Sequence, residues 1–555
     1  MSGKALLRIG LLIDSFVQPA WVYKLISDIQ SSSIAEIVLI IKNDGYDGTD
    51  KRTTIIQKVL NNKKDLLYIL YRKFDRLVSR ANPDAFQPKS IEKLVSNCPI
   101  IHAKPLPKGY SDYFQEQDIA AAHKYNLDVA LRLGFRIIRG PILGIAKYGV
   151  WSYHHGDNLV NRGGPPGFWE VMEDHPVTGS ILQILSEELD GGKVIYRSYA
   201  ATHKHSVTKN RNNYYWKSVA FVMRKLKELY EYGPETLDND AYSLVYQPYS
   251  KRLYKQPSNA EMFRLFIQWC GKYALTKIQE LFYLDQWFLA YKIAPSEGVD
   301  DTFYQFKSLI PPKDRYWADA FPVKNGNKYF IFIEEFIYKT GKGHIAVIEM
   351  DHKGVWKQPV KVLERDYHLS YPFIFQWQDD YYMIPETAAN KTIELYRCTS
   401  FPLKWELHKV LMTSVNAVDA TLAEINGRWW MFVNIGVDGA SKDDELHLFY
   451  TDNPLGPWTP HKHNPVKSDV RSARPAGRIF QWNGHLYRPT QDCSKTYGYA
   501  TSLNKVVHLD VDSFCETEVS KILPEWKKNM TGTHILNNAH KLTIIDGQMK
   551  RSRFF

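Results

Sequence analysis

The sequence predicts a multidomain protein: an α/β domain built on a parallel sheet, a helical connector, and an all-β five-bladed propeller. Three observations carry this. The chain opens on short apolar runs separated by helix-length segments, its middle places apolar residues at helical spacing, and its C-terminal half repeats one strand–turn–strand unit. At 555 residues it is also too long for a single hydrophobic core.

The α/β reading rests on strands at 6–14 (LLRIGLLID) and 35–44 (AEIVLIIKND), with a helix from Ala20 to Gln30 between them. A β-α-β opening of this kind predicts a parallel sheet. No GxGxxG follows the first strand, so a dinucleotide site is not expected. Further strands are predicted at 98–103, 129–135 and 149–155, with a helix from Phe114 to Tyr125 among them. The connector, 211–284, consists of two helical stretches, the first stopping at Gly233.

From 285 to 555 the texture changes to aromatic and β-branched strands with Asn-Gly-type turns. Aligned on those turns, units begin at Asp319, Tyr371, Asp419, Ala476 and, in degenerate form, Gly532, with start-to-start spacings of 52, 48, 57 and 56 residues. Ten positions after each start stands an apolar or aromatic residue: Tyr329, Tyr381, Trp429, Leu486 and Leu542. Five hairpin units of this period predict a five-bladed propeller rather than a sandwich, which would not repeat one hairpin so regularly.

Composition narrows the partners. The net charge of +11 favours an anionic ligand or surface. There is no arginine-rich tract, RNP-type motif or zinc-finger spacing, so nucleic acid is not expected. The five cysteines lack CxxC pairs, which fits reduced thiols. The apolar run from Leu6 to Val17 is broken by Arg8 and Asp14, and no membrane span or signal peptide is expected. The expectation is a cytoplasmic protein.

The chemistry concentrates at 149–198. An apolar strand breaks into a loop rich in His, Asp, Asn, Arg, Gly and Pro, continues through a helix from Phe168 to Met172, and returns to strand after Asp190-Gly191-Gly192. Polar residues at the end of a parallel strand are where active sites of α/β sheets collect. His154, His155, Asp157 and Asp190 form a His/carboxylate constellation suited to acid–base work. The same groups could bind a metal, but no HExxH or paired ligand spacing supports one, and none is expected.

This stretch resembles the catalytic domain of the formyltransferase family, whose members show N-x-H-x-S-L-L-P, then R-G-x-x-P, T-G and D-x-G-x-[IV]. Arg162-Gly163 with Pro166, Thr178-Gly179, and Asp190-Gly191-Gly192-Lys193-Val194 match the last three blocks in order. Counting back from Arg162 sets His154 on the catalytic His and Ser152 on the Asn. The resemblance covers about 1–210 and implies a Rossmann-like formyltransferase domain using 10-formyltetrahydrofolate as co-substrate to formylate an amine. His154 would stabilise the oxyanion, and Asp190 would orient it and take up a proton. The matching folate contacts are Arg136, Ile138, Gly140 and Pro141 before the His strand, and Leu189, Gly191 and Gly192 around the Asp, with Arg162 on the substrate side. Two departures stand out: a short Ser152 hydroxyl replaces a long amide donor, and His155-Gly156-Asp157-Asn158 replaces S-L-L-P. Loss of one oxyanion donor costs about 2.7–4 kcal/mol in comparable sites. Ser152, His155 and Asp157 are therefore carried with His154 and Asp190 as catalytic candidates.

In the repeats, Asp319 and Asp419 share the starting position, and fifteen residues on stand Glu334, Glu386, Asn434 and Gln491. Polar residues at one phase of an apolar repeat predict a polar funnel, with Arg474 just before the fourth start and His534 just after the fifth. The clustered carboxylates resemble five-bladed glycoside hydrolases, and the ADAF, MIPET and VDATL motifs resemble the domain fused to plant glucosamine inositolphosphorylceramide transferases. Asp319, Glu334, Glu386, Asp419 and Arg474 are thus substrate-binding candidates. The expected acceptor is a small-molecule or glycan amine. The alternatives are a glycosidase or glycosyl-transfer activity in the propeller with a relic first domain, and a non-catalytic glycan-binding scaffold.

Overall fold

The computed structural model describes residues 4–45, 64–188, 191–238 and 249–554. The chain folds as two compact units, Met1–Lys272 with Asp438–Ala440, and Tyr273–Val437 with Ser441–Phe555.

In the first unit a seven-stranded sheet is built from β1 (Leu7–Ile13), β2 (Ala35–Asn43), β3 (Ile100–Ala103), β4 (Val129–Arg132), β5 (Val150–His154), β6 (Val177–Ile184) and β7 (Lys193–Ala201), in the order β7-β6-β5-β4-β1-β2-β3. Pairing is parallel from β5 through β3 and antiparallel at β5–β6 and β6–β7. The helices are α1 (Ala20–Gln30), α2 (Leu66–Val78), α3 (Glu116–His123), α4 (Phe168–Met172), α5 (Val207–Tyr232) and α6 (Asn259–Phe282), whose residues from Tyr273 on are counted with the second unit.

β1 is almost continuously apolar because both of its faces are covered. Alternate residues Ile9, Leu11, Val129, Leu131 and Trp151 face one core, which α1 completes with Trp21, Val22, Leu25, Ile26 and Ile29. Leu12, Leu39, Ala130 and Val150 face the other. The expected connector is α5 and α6. Helix α5 starts where the Ser206 hydroxyl accepts from the Lys209 backbone N–H, and it stops at Gly233. It buries Tyr214, Tyr215, Phe221, Val222 and Leu226 in the same core as β1, so it is integral to the first unit. No helix among the described residues is long and apolar enough to cross a membrane.

The second unit is nearly all β, with five antiparallel sheets. The first joins β8 (Tyr283–Ile293) and β9 (Lys307–Leu309). The second runs β10 (Arg315–Asn325), β11 (Lys328–Ile337), β12 (Lys342–Asp351) and β13 (Val360–Leu363). The third is β14 (Ser370–Trp377), β15 (Asp380–Glu386), β16 (Thr392–Ser400) and β17 (Lys404–Thr413). The fourth is β18 (Ala417–Ile425), β19 (Arg428–Ile435), β20 (Glu445–Thr451) and β21 (Thr459–Pro460). The fifth is β22 (Phe480–Trp482), β23 (His485–Asp492), β24 (Ala500–Leu509) and β25 (Phe514–Ile522). The chain then returns to the first sheet with β26 (Met530–Gly532), β27 (Leu536–Ala539) and β28 (Leu542–Ser552), and β28 pairs with β8 along its length.

The sequence repeats have a backbone counterpart. Asp319, Tyr371 and Asp419, the first three repeat starts, all adopt left-handed φ, at 53°, 43° and 55°. Each sits in a β-bulge, where the register of the hairpin slips between Ala318 and Phe321, Ser370 and Phe373, and Val418 and Thr421. Side-chain bonds then link successive sheets: the Tyr371 backbone N–H donates to Asp319 Oδ2 at 3.0 Å, and the Tyr371 hydroxyl lies 2.6 Å from Thr421 Oγ1.

Candidate functional site

In the first unit the C-terminal ends of β4 and β5 open into a cavity of about 630 Å³. Such strand ends are where α/β sheets bind ligands, and the volume suits a small-molecule site. Of the expected residues, Ser152, His154, Arg136, Ile138 and Gly192 line it. His154 Nε2 is 3.2 Å from the carbonyl oxygen of Asn161, an acceptor, which places the ring proton on Nε2. Ser152 is buried at the wall and its Oγ accepts from Arg132 Nη1 at 3.1 Å. The Arg132 guanidinium is also fixed by bonds to two carbonyls, from Nη2 to Phe135 (3.1 Å) and from Nη2 (2.6 Å) and Nε (3.0 Å) to Arg136. The Gln183 carbonyl oxygen is buried with no hydrogen-bond partner among the described residues, an acceptor in search of a donor.

The remaining expected residues frame the cavity or lie away from it. His155, expected beside His154, lies off the cavity and deep in the apolar core. Its ring stacks on Tyr215 at 3.6 Å, its Nε2 donates to Ser218 Oγ, and burial, with the nearby His154 and Arg211, pushes its pKa well below the ordinary histidine value. Adjacent residues on a strand face opposite sides, so only one of the two can enter. Asp157 forms a buried ion pair with Arg197, and its carboxylate accepts from the Leu159 N–H at 3.1 Å. Arg162 packs on the Tyr249 ring at 4.7 Å and donates from Nε to the Asn158 carbonyl. Within the cavity wall the Arg136 side chain is tied to Asp112. The Gly140 N–H donates to Glu187, and Gly140, Pro141 and Gly191 do not line the cavity. Leu189 and Asp190 lie outside the described residues.

The motif glycines have packing reasons. Gly163 has φ of +100°, and a Cβ there would stand 2.2 Å from the Tyr254 carbonyl oxygen. Gly163 and Tyr254 form a parallel bridge, and Leu253, Tyr254 and Lys255 thereby become a wall of the cavity. Gly179 is flush against Asp157, while Thr178 bonds Thr202 and Asn210, anchoring α5. Arg132, Gln183, Tyr254 and Lys255 were not expected from the sequence. Arg132 carried a signal, since it ends the strand that pairs with Ser152.

The second unit has a polar cavity of about 270 Å³. Ala318, Ser370 and Val418, the residues preceding the three bulges, line it, and opposite them across each hairpin stand Glu334, Glu386 and Asn434. Of the candidate residues, Glu334, Glu386 and Arg474 line the cavity, together with Trp287, Tyr316, His368, Lys442, Tyr497 and His534. Asp319 and Asp419 lie buried outside the cavity lining.

Arg474 organises these carboxylates. It bonds Asp419 (Nε–Oδ2 2.6 Å), Asp443 (Nη1–Oδ1 2.6 Å) and Glu386 (Nη2–Oε2 3.4 Å). Burial pushes Asp419 up to about 7 against the pull of Arg474, and burial with Asp419 and Asp546 nearby pushes Asp319 up to about 7 despite His534. Glu334 is raised well above the ordinary glutamate range by burial and by Asp319, although the Tyr316 hydroxyl donates to it at 2.8 Å. His534 is buried between Asp546 (Nδ1–Oδ2 2.7 Å) and Asp319 (Nε2–Oδ1 3.3 Å), and the two carboxylates outweigh its burial and raise its pKa. One ligand atom from each of these three residues falls within 4.8 Å of the others, a spacing that could hold a cation. Asp546 was missed because the fifth repeat is degenerate there.

The family model described as "Glucosamine inositolphosphorylceramide transferase 1, N-terminal" matches residues 310–550. Glucosamine inositolphosphorylceramide transferase 1 of Oryza sativa subsp. japonica is 37% identical over 239 residues, 42% of this chain and 32% of that protein. The chain therefore spans about a third of the length of that relative. Methionyl-tRNA formyltransferase of Prochlorococcus marinus is 29% identical over 143 residues, 25% of this chain and 40% of that protein. Among solved structures, the endo-arabinanase from Bacillus licheniformis is 13% identical, with 43% of this chain and 95% of that chain covered at a TM-score of 0.30, too low to support a conclusion. The chain is thus similar in one part to the N-terminal region of glucosamine inositolphosphorylceramide transferase 1 and in another to methionyl-tRNA formyltransferase.

Proposed function

We propose that the first unit is a transferase of the formyltransferase type, moving a formyl group from 10-formyltetrahydrofolate to an amine of an amino sugar in a glycan or glycolipid precursor. The second unit, read as a five-bladed propeller, holds the sugar. The carrying observation is that His154, Ser152 and Arg132 meet in one cavity at the ends of two parallel strands.

The residues present fit a folate. Ile137, Ile138 and Leu185 offer an apolar wall for a flat ring, the buried Gln183 oxygen offers an acceptor for a ring N–H, and Arg132, Arg136 and Lys255 bias the site towards an anionic tail. The bound folate supplies the activated formyl carbon. The protein's part is to stabilise the oxygen that becomes negative as the amine attacks, and to accept the amine proton. Arg132, reaching the wall through Ser152, replaces the missing amide as an oxygen-directed donor. His154, whose Nε2 faces the Asn161 carbonyl, is the proton-transfer group of this reading, with Asp190 as its expected partner.

The test is calorimetric titration with 5-formyltetrahydrofolate, followed by tetrahydrofolate release from 10-formyltetrahydrofolate in the presence of glucosamine-bearing acceptors. Binding that His154→Ala retains and turnover that it loses support the reading. A chain that binds no folate sinks it. Glu334 and Glu386 facing one cavity support a second reading, glycosidic bond chemistry in the second unit. Sugar release abolished by Glu334→Gln, without folate dependence, would favour it.

A further inference from the structure

We propose that the face formed by α2 and the first half of α6 docks the first unit onto a membrane surface bearing anionic headgroups. The inference stands apart from the formyl-transfer reading and uses none of its residues.

Helix α2 has two unlike sides. Its inner side buries Tyr68, Tyr71 and Asp75; the Asp75 carboxylate accepts from the Thr208 N–H at 2.7 Å, at the start of α5. The Tyr71 ring meets Phe266 at 6.4 Å and Trp269 at 6.3 Å, so α2 and α6 lie together. On the outer side Leu67, Leu70, Phe74, Leu77 and Val78 stand at helical spacing and are all exposed, Leu77 at 70% and Val78 at 67%. Phe263 and Ile267 of α6, at 59% and 55%, are exposed as well. Single exposed apolar residues are ordinary, but a whole helix face of them marks a site of contact.

The charges choose the occupant. Lys73 and Arg80 are exposed along α2 and just beyond it, Arg76 is exposed but paired with Asp84 at 3.3 Å, and Arg264 is exposed on α6. A second copy seated symmetrically on this face would bring like charges together. An anionic bilayer satisfies both parts at once: apolar side chains enter the headgroup boundary while the basic side chains meet phosphate and carboxylate.

Flotation of the full chain with phosphatidylcholine vesicles, with and without phosphatidylserine, tests this. Binding is expected only with phosphatidylserine and should weaken as salt rises. Lys73→Glu with Arg80→Glu should lower the vesicle partition coefficient by about fivefold or more per charge. Phe74→Ser with Leu77→Ser should abolish binding while the melting temperature and folate-analogue binding stay unchanged. Three results overturn the proposal: no flotation with anionic vesicles, equal flotation of the charge-reversed variant, or a wild-type dimer that Phe74→Ser with Leu77→Ser dissolves without affecting flotation.

Discussion

The Arg132 guanidinium donates to the Ser152 hydroxyl at 3.1 Å, so the short side chain at the cavity wall is backed by a fixed cation. Bonds to the carbonyls of Phe135 and Arg136 hold that cation in place, which prepays its orientation. If the first unit carries out the proposed formyl transfer, Arg132→Leu is expected to lower its kcat by about 10²–10³-fold with a smaller change in KM. Ser152→Ala, which leaves the guanidinium in place, should cost roughly tenfold. Steady-state rates of tetrahydrofolate release measure both, and a kcat unchanged in Arg132→Leu removes Arg132 from the chemistry.

Gly163 permits the wall that Tyr254 and Lys255 form. Gly163→Val adds a Cβ where the Tyr254 carbonyl already stands, at a backbone angle that branched residues avoid. The expected outcome is a loss of about 1–3 kcal/mol in stability together with weakened 5-formyltetrahydrofolate binding. Thermal melting and calorimetry read the two effects separately. Unchanged folate affinity would show that this wall does not touch the ligand.

Removing Arg474 leaves Asp419 buried without its cation. Arg474→Met should destabilise the second unit by about 3–5 kcal/mol, and Arg474→Lys should recover only part of it because the fork of bonds to Asp419 and Asp443 is lost. Denaturant unfolding of the two variants against wild type gives the comparison.

The second unit should lose stability as pH rises. Asp319 and Asp419 move from an ordinary 3.8 up to about 7, so their stabilising contribution is complete below about pH 4 and is lost as pH climbs through 7. His534, whose pKa is also raised, contributes below its ordinary value and acts in the same direction. Asp319→Asn isolates one group, since asparagine tolerates the left-handed backbone at that position. Relative to wild type the variant should gain on the order of 2–4 kcal/mol between pH 4 and pH 8. Parallel melting curves across that range would show that Asp319 does not titrate there.

How much of this could be read beforehand depended on how local the signal was. Ala20–Gln30 and Phe168–Met172 are helices with the expected bounds, because apolar spacing and flanking breakers are local. The repeat phase also carried through: Glu334, Glu386 and Asn434 stand directly across from the residues that precede the bulges. The cavity walls were illegible for the opposite reason. Tyr254 and Lys255 arrive from a distant segment through a backbone bridge that no spacing encodes. His154 and His155 could have been separated in advance, because consecutive strand residues point to opposite faces.

The pairing of Tyr283 with Ser552 bears on how the protein is made. β8 leaves the ribosome well before its neighbour β28, from which it is separated by four intervening sheets. Until then the first sheet has an open edge, a site for mispairing with other chains. A pairing between segments so far apart in sequence raises the contact order, which is expected to slow the closing of the first sheet.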